Sequence, residues 1–323
     1  MKSNQSLALA VDLGGTQIRA AVVTRRGEIL AKETSPTLAA EGPGPVIDRI
    51  QATIEAALQT EIGKSSSPAN ICIAAAGAID VDRGIITLSP NLPGWHDIPL
   101  KDMVKDRCGL ETYLINDANA AALGEHRFGA GKGVRDMLFL TVSTGIGGGI
   151  IIGGELYSGA SGGAGEMGHM TIDTGGPVCT CGNNGCLEQL ASGTAMAREA
   201  KQRLNSGEKS ALLDMAGGKI DEVTAAQISA AAQAGDTLAQ EVVSRAAMYL
   251  GIGLANLVNI FNPEMIVIGG SVSKMGSMLF DPAIAVVQDR AFPLLARAVS
   301  IVRAQNIDDA GLLGAAAFAF QQD

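Results

Sequence analysis

Residues 7–23 read LALAVDLGGTQIRAAVV, and the placement of charge and glycine in them decides the fold. Residues 7–12 are apolar up to Asp12. A short apolar run bounded by turn residues reads as a buried strand, here with a carboxylate at its tip. Residues 18–23 (IRAAVV) and 28–33 (EILAKE) come next at hairpin spacing, so three short strands open the chain. Between the first two lies DLGGT, Asp12 to Thr16. Glycines in a tight turn let backbone N–H groups approach an anion closely. Thr16 adds a hydroxyl, and Asp12 could hold Mg²⁺ through water. Taken alone, the same residues also describe an ordinary hairpin turn.

Outward from this hairpin, residues 42–63 (GPGPVIDRIQATIEAALQTEIG) are expected as a helix. Proline stands near its start, Val46, Ile50, Ile54, Ala57 and Leu58 recur at helical spacing, and Gly63 stops it. Residues 70–76 (NICIAAA) form a buried strand ending at Gly77, and 112–117 (TYLIND) a strand ending in an acid. ANAAALGEHRFG continues as a helix. The first third therefore reads βββ-α-β-α-β-α. A second set of strands starts at 137–142 (MLFLTV), and helices dominate from Thr194. Residues 264–270 (EMIVIGG) are a late buried strand, and DDAGLLGAAAFAF is an apolar helix. Strands, helix and strand appear twice, which implies a duplicated α/β architecture.

The chain has 323 residues, more than one compact core usually spans, so two domains are expected. A hydrophobic share of 47% suffices to fill them. The net charge of −9 argues against a broad surface for nucleic acid or an anionic membrane. No signal peptide is visible, and no stretch reads as the ~18 consecutive apolar residues of a membrane span. Five cysteines, an odd number, fit no disulfide framework, so a cytoplasmic location is expected.

Three further stretches bear on chemistry. STGIGGG, Ser143 to Gly149, superficially matches a dinucleotide fingerprint. The residues after it, IIIGGELY, read as a strand and a turn where the fingerprint requires a helix, so a second phosphate-cradling hairpin fits better. There is no Walker-type G-x-x-x-x-G-K-[ST]. In IND, Ile115 to Asp117, a carboxylate at a strand tip is placed to take a hydroxyl proton during phosphoryl transfer. The plainer alternative is a helix N-cap. Finally, CTCGNNGCLEQ, residues 179–189, holds Cys179, Cys181 and Cys186, with His169 ten residues upstream of the first. Three thiolates and one imidazole suit a closed, structural Zn²⁺ site. Incidental thiols are the alternative, and a redox pair lacks its C-x-x-C. Cys72 reads as a packed core residue, and Trp95 as the anchor of a proline-rich loop.

In order along nearly the whole chain, DLGGTQIRAAVV, PNLPGW, INDANAAALGE, TGIGGGI, GAGEMGH, CTCGNNGCLE and IVIGGSVS resemble the ROK family of bacterial repressors and sugar kinases. The pair GEMGH and CxCGxxGCxE is the most specific part. The resemblance implies the actin-like ATPase fold, a duplicated ribonuclease H-like α/β fold with two domains around a central cleft. The N-terminal domain is expected at 1–117 plus 309–323, with the C-terminal helix packing back on it, and the second domain at 118–308. The resemblance also implies an ATP:hexose phosphotransferase. It makes Asp117 the catalytic base. Asp12, Gly14, Gly15 and Thr16 become the first phosphate loop, Thr144 and Gly145 the second, and Gly269 and Gly270 the loop beside adenosine. Gly77, Asn91, Asn116, Asp117, Glu166, His169 and Glu188 become the sugar-binding set. Ala78 stands where the family often has proline. His169, Cys179, Cys181 and Cys186 are implied as ligands of a structural Zn²⁺, with ATP and Mg²⁺ as the other cofactors.

His169 would then give one ring nitrogen to the metal and its other N–H to a sugar hydroxyl. PNLPGW resembles the loop of glucose-phosphorylating members, so glucose at its 6-hydroxyl is the expected acceptor. Fructose, mannose, allose, N-acetylglucosamine and N-acetylmannosamine are the alternatives. A homodimer or homotetramer is implied. A sugar-sensing repressor is the competing class, and only six residues precede the strand at Leu7, too few for its DNA-binding domain. Chaperone ATPases and kinases of acids fit the sugar-facing set less well.

Overall fold

The computed structural model of the protein describes residues 7–61, 63–89 and 91–322. The opening strands are β1 (Leu7–Leu13), β2 (Gln17–Thr24) and β3 (Ile29–Pro36), paired antiparallel in series. In β1, Leu9, Val11 and Leu13 join a core cluster with Val46, Ile47, Ile50 and Ile54 of α1 (Pro43–Gln59). Each such side chain, fully buried, contributes about 1.5–3 kcal/mol. Helix α1 ends before Gly63. The Thr60 hydroxyl donates to the Ala57 carbonyl and accepts from the Gly63 N–H, both at 2.9 Å, replacing the bonds a further turn would make.

The parallel strand β4 (Asn70–Ala75) is buried along its whole length. Three very short strands then form their own antiparallel sheet: β5 (Ala78–Asp80), β6 (Ile85–Leu88) and β7 (His96–Ile98). No sequence pattern announces this sheet. After α2 (Leu100–Cys108), β8 (Glu111–Asn116) pairs parallel with β4 and leads into α3 (Asp117–Phe128). The first sheet has the order β3-β2-β1-β4-β8.

The second half consists of β9 (Met137–Val142), β10 (Ile146–Ile152), β11 (Glu155–Leu156), α4 (Leu187–Ala191), α5 (Gly193–Asn205), α6 (Leu212–Met215), α7 (Ala225–Gln233) and α8 (Thr237–Phe261). The remaining elements are β12 (Met265–Gly269), α9 (Ser277–Arg290), α10 (Pro293–Ala298), β13 (Ser300–Arg303) and α11 (Ala310–Gln321). Its sheet has the order β11-β10-β9-β12-β13, the same arrangement as the first. The duplication read from the sequence is therefore present at the level of strand order.

The chain separates into two compact units: residues 1–139, 149–165 and 304–323, and residues 140–148 and 166–303. The expected boundary after Asp117 falls inside the first unit. The cause is α11, which packs on α3 as well as on β1 and β4. Ala8 and Ala10, alternating with the residues that face α1, are buried as well and leave room for a helix on the other side of the sheet. Gly124 of α3 and Gly314 of α11 lie at the helix contact. Buried Glu125 fixes the entry to α11 by accepting the backbone N–H groups of Gln305 and Asn306 at 3.1 and 2.5 Å.

Helix α8 carries Gln240, Glu241, Ser244 and Arg245 among its apolar residues. Among the described residues it is the one helix long and apolar enough to cross a membrane by length and composition. It is a core helix, with Leu238, Val242, Val243, Leu250, Leu254 and Val258 all buried and α9 packed along it.

Candidate active site

In the first unit, register aligns Leu13 with Ala75 and Ala75 with Asn116, so the C-terminal tips of β1, β4 and β8 stand in one row. That edge of an open α/β sheet is where ligands bind. The first glycine turn, Gly77 and the pair Asn116–Asp117 all lie there. The turn closes through the Gly14 N–H on the Gln17 carbonyl, 3.0 Å. Thr37, which carries no motif in the sequence, pins it from outside. Its hydroxyl donates to the Gly14 carbonyl at 2.6 Å and its N–H to the Thr16 carbonyl at 2.8 Å. The Asn91 carbonyl lies directly against Gly15. Asp12 is ion-paired with Arg19, the residue opposite it on β2, and Arg19 also donates to the Asp308 carbonyl. Asp12, read as a carboxylate for Mg²⁺, thus has a protein cation beside it that the motif does not reveal.

The N-cap reading falls on the neighbour of Asp117. Asn116 is the N-cap of α3: its side-chain oxygen accepts from the Ala118 and Asn119 N–H groups at 3.0 and 3.2 Å, while its amide donates to the Gly77 carbonyl at 3.2 Å. Asp117 is the first helical residue, and its Oδ1 accepts from the Ala118 N–H at 2.9 Å. The cap is filled without it.

In the second unit, Ser143, Thr144 and Gly145 connect β9 to β10. The N–H groups at the start of α5 hold this turn: Gly193 donates to the Ser143 carbonyl at 2.7 Å and Thr194 to that of Thr144 at 3.4 Å. Glu188 of α4 accepts the Ile146 N–H at 2.9 Å and lies so close that a Cβ on Gly145 would stand 2.3 Å from its Oε2. A side chain there would displace the Glu188 carboxylate. Glu188, expected to face a sugar, therefore also clamps the second turn. Gly270 backs onto the Val142 carbonyl, and Ser271 shares a hydroxyl–hydroxyl bond of 2.9 Å with Ser143.

Beside this turn is a cavity of about 580 Å³ whose wall includes Ser143, Thr144, Thr194, Arg198, Lys201 and Ser271. None of its described lining residues is acidic. Gly269 and Gly270 are not among the residues of its wall. The contribution of α5 and α7 is not legible in the sequence, because a polar helix face lining a cavity has the same composition as one lining solvent.

The cysteine cluster closes as its spacing suggests. Ligand atoms of His169, Cys179, Cys181 and Cys186 all lie within 4.8 Å of one another. Cys179 Sγ is 3.6 Å from His169 Nδ1, and Cys181 Sγ is 3.7 Å from Cys186 Sγ. A Zn–S bond of about 2.3 Å sets a tetrahedron edge of roughly 3.7 Å, so this donor set fits the metal. Backbone bonds build the knot: Cys179 N–H to the Asn183 carbonyl, Gly185 N–H to the Pro177 carbonyl, and Leu187 N–H to the Met170 carbonyl. Gly185 has φ of 64° and lies against the Asp173 carbonyl, where no side chain could be placed.

Burial opposes ionisation of Cys179, yet the Cys181 N–H and the neighbouring Cys181, His169 and Cys186 side chains outweigh it and hold the thiol down at about 7. Burial pushes Cys186 up to about 12. The other ring nitrogen of His169, Nε2, is 3.8 Å from Glu166. Of the sugar-binding set, Gly77, Asn91, Asn116 and Asp117 belong to the first unit, and Glu166, His169 and Glu188 to the second.

Two α/β sheets of one strand order, each with a glycine turn at its strand tips, define the actin-like ATPase fold. Residues 8–322 match the ROK family, and the chain belongs to that family. It is 38% identical to a glucokinase of Thermotoga maritima over 95% of both chains. A ROK family glucokinase of Streptomyces griseus, solved in complex with glucose and AMPPNP, superposes with a TM-score of 0.86 at 39% identity, covering 98% of this chain and all of the other. A putative xylose repressor of Caldicellulosiruptor is 36% identical over 98% of this chain and 79% of its own length.

Proposed function

We propose that this protein is an ATP-dependent hexose kinase whose acceptor is glucose at the 6-hydroxyl. The observation that carries the reading is its likeness, over 98% of its length, to the glucokinase that holds glucose and AMPPNP. The alternative of a sugar-sensing regulator has the likeness to the xylose repressor in its favour. Against it, Asn116 and not Asp117 is the N-cap of α3, which leaves general-base work as the reading for the Asp117 carboxylate.

Asp117 accepts the proton of the sugar hydroxyl as that oxygen attacks the γ-phosphorus of ATP. The bond to the β-γ bridging oxygen breaks, and ADP leaves. The backbone N–H groups of Gly14, Gly15 and Thr16 receive phosphate oxygens in the first unit, and those of Thr144 and Gly145 in the second. The cavity lined by Arg198, Lys201 and Ser271 takes the nucleoside, beside Gly269–Gly270. Gly77, Asn91, Asn116, Glu166, His169 and Glu188 hold the sugar.

His169, Cys179, Cys181 and Cys186 would hold Zn²⁺, which fixes the ring of His169 so that Nε2 serves a sugar hydroxyl. Asp12 is the carboxylate assigned to the Mg²⁺ that accompanies ATP. A cytoplasmic homodimer or homotetramer completes the reading.

The test is ATP-dependent phosphorylation by zinc-replete protein across glucose, fructose, mannose, allose, N-acetylglucosamine and N-acetylmannosamine, compared by kcat/KM. Glucose is expected to lead. Another sugar in front keeps the kinase and changes its acceptor. Turnover of none, with sugar binding retained, gives the regulator.

A further inference from the structure

Two residues outside the assigned set join the cavity of the second unit to the cysteine knot. Arg198 of α5 lines the cavity. Its Nη1 donates to Gln189 Oε1 at 2.7 Å, and its Nη2 donates to the Gln189 carbonyl. With its oxygen committed in this way, the Gln189 amide turns its N–H group toward Cys179, with Nε2 4.0 Å from Sγ. Gln189 directly succeeds Glu188, which clamps the second turn, and the helix carrying both begins just after Cys186. The same α5 bonds that turn through Gly193 and Thr194. One unit thus contains an unbroken path from cavity wall to metal-ligand sulfur.

We infer that Gln189 and Arg198 are positioning residues that couple nucleotide occupancy of the cavity to retention of the metal at the knot. The inference rests on the proposed zinc and nucleoside sites. An N–H group directed at a metal-bound thiolate stabilises its charge, and losing such an outer partner typically costs 10–100-fold in metal affinity. Nucleotide packed over Arg198 excludes water from the guanidinium–glutamine bonds, strengthens them, and keeps the amide aimed at Cys179. By linkage, zinc must then raise nucleotide affinity by the same factor as nucleotide raises zinc affinity.

The experiment tracks zinc loss from zinc-loaded protein to a chromogenic chelator, with and without saturating AMPPNP, no sugar present. AMPPNP is expected to slow the loss by roughly fivefold or more in the wild type. Gln189→Glu keeps an acceptor for Arg198 but replaces the N–H donor with a carboxylate oxygen, and should lose zinc about 10–100-fold faster. Arg198→Lys keeps a cation in the cavity but cannot span both Gln189 oxygens, and should lose the AMPPNP protection. A merely structural role would not make zinc loss respond to nucleotide.

If wild-type zinc loss is indifferent to bound AMPPNP, or if the Gln189 and Arg198 variants behave as wild type, the coupling is overturned while the zinc and nucleotide sites stand. Wild-type protein that holds no zinc, or binds no AMPPNP, overturns the coupling together with the site reading beneath it.

Discussion

The two glycine turns occupy matching places in two sheets of the same strand order, yet they are held by opposite means. The first is braced by an ion pair between Asp12 and Arg19, seven residues apart across one hairpin, and by Thr37. The second is braced by Glu188, 42 residues further along the chain, which takes the Ile146 N–H. Duplication has kept the strand order and not the anchoring. The first turn is supported by its own hairpin and the strand after it. The second depends on a helix that begins just after Cys186, so its geometry is hostage to the folding of the knot.

The comparison fails most sharply at the outermost parallel strands. β8 ends at Asn116–Asp117, while its counterpart β13 ends at Arg303 and Ala304, with no acid. The largest predicted effect is therefore one-sided. Asp117→Asn should lower kcat by about 10²–10⁴-fold with an unchanged thermal melt, measured with ATP and glucose. Next comes the knot. Cys181→Ala should lose bound zinc, exceeding the roughly 10–100-fold cost of an outer-shell partner, and raise the KM for glucose with it. Zinc content by atomic absorption, alongside steady-state kinetics, would show whether the two move together.

The turns themselves can then be set against each other. Glu188→Ala leaves the Ile146 N–H without its acceptor, at about 1–3 kcal/mol. Arg19→Met should cost about 1 kcal/mol or less, because the side chains of the pair remain 26% and 15% exposed and water shares the charge. Equal losses in urea unfolding would erase the distinction between a locally and a remotely anchored turn.

An effect of similar size calibrates Glu188 with a carboxylate that caps α8 and ties it to the start of α6. Burial tends to raise the pKa of Asp236, but the N–H groups of Ala239 and Ala211 and the Ser210 hydroxyl outweigh it and hold it low. A depressed folded value means stability that is present above the unfolded carboxylate value of about 3.9 and lost as pH falls through the folded one. Asp236→Ala should thus cost about 1 kcal/mol at neutral pH, and the cost should shrink below about pH 4. Melts at pH 7 and pH 3 check the sign.

Legibility in the sequence divides along the same local-versus-distant line. The strands around Asp12, the buried run at Asn70–Ala75 and the Cys₃His set are legible because the residues that define them lie close together in the chain. Four things are not. β13 is a four-residue strand at a sheet edge, partly exposed and polar at both ends, and its pairing partner Met265–Gly269 is remote in sequence. β5, β6 and β7 are too short for a period-two pattern to register. The first unit runs past the expected boundary at Asp117 because α3 packs on α11, more than 180 residues later. Arg19 as the partner of Asp12, and Gln189 and Arg198 around Cys179, carry no motif at all. Their meaning depends on which side chains a finished fold brings within bonding distance.

The discontinuity of the first unit has a consequence for synthesis. Glu125 waits for Gln305, 180 positions later, and β1 and β4 wait for α11 beyond that. At 5–20 residues per second the ribosome needs roughly 10–40 s to cover that interval. Throughout it the nascent first sheet has one apolar face, lined by alanines such as Ala8 and Ala10, without its helix. The second unit, whose residues 140–148 and 166–303 are all made before residue 304, is free to settle around its cysteines while the earlier half is still open. The order of emergence from the ribosome is the reverse of the order of completion, and the waiting sheet is the segment a chaperone would have most reason to meet.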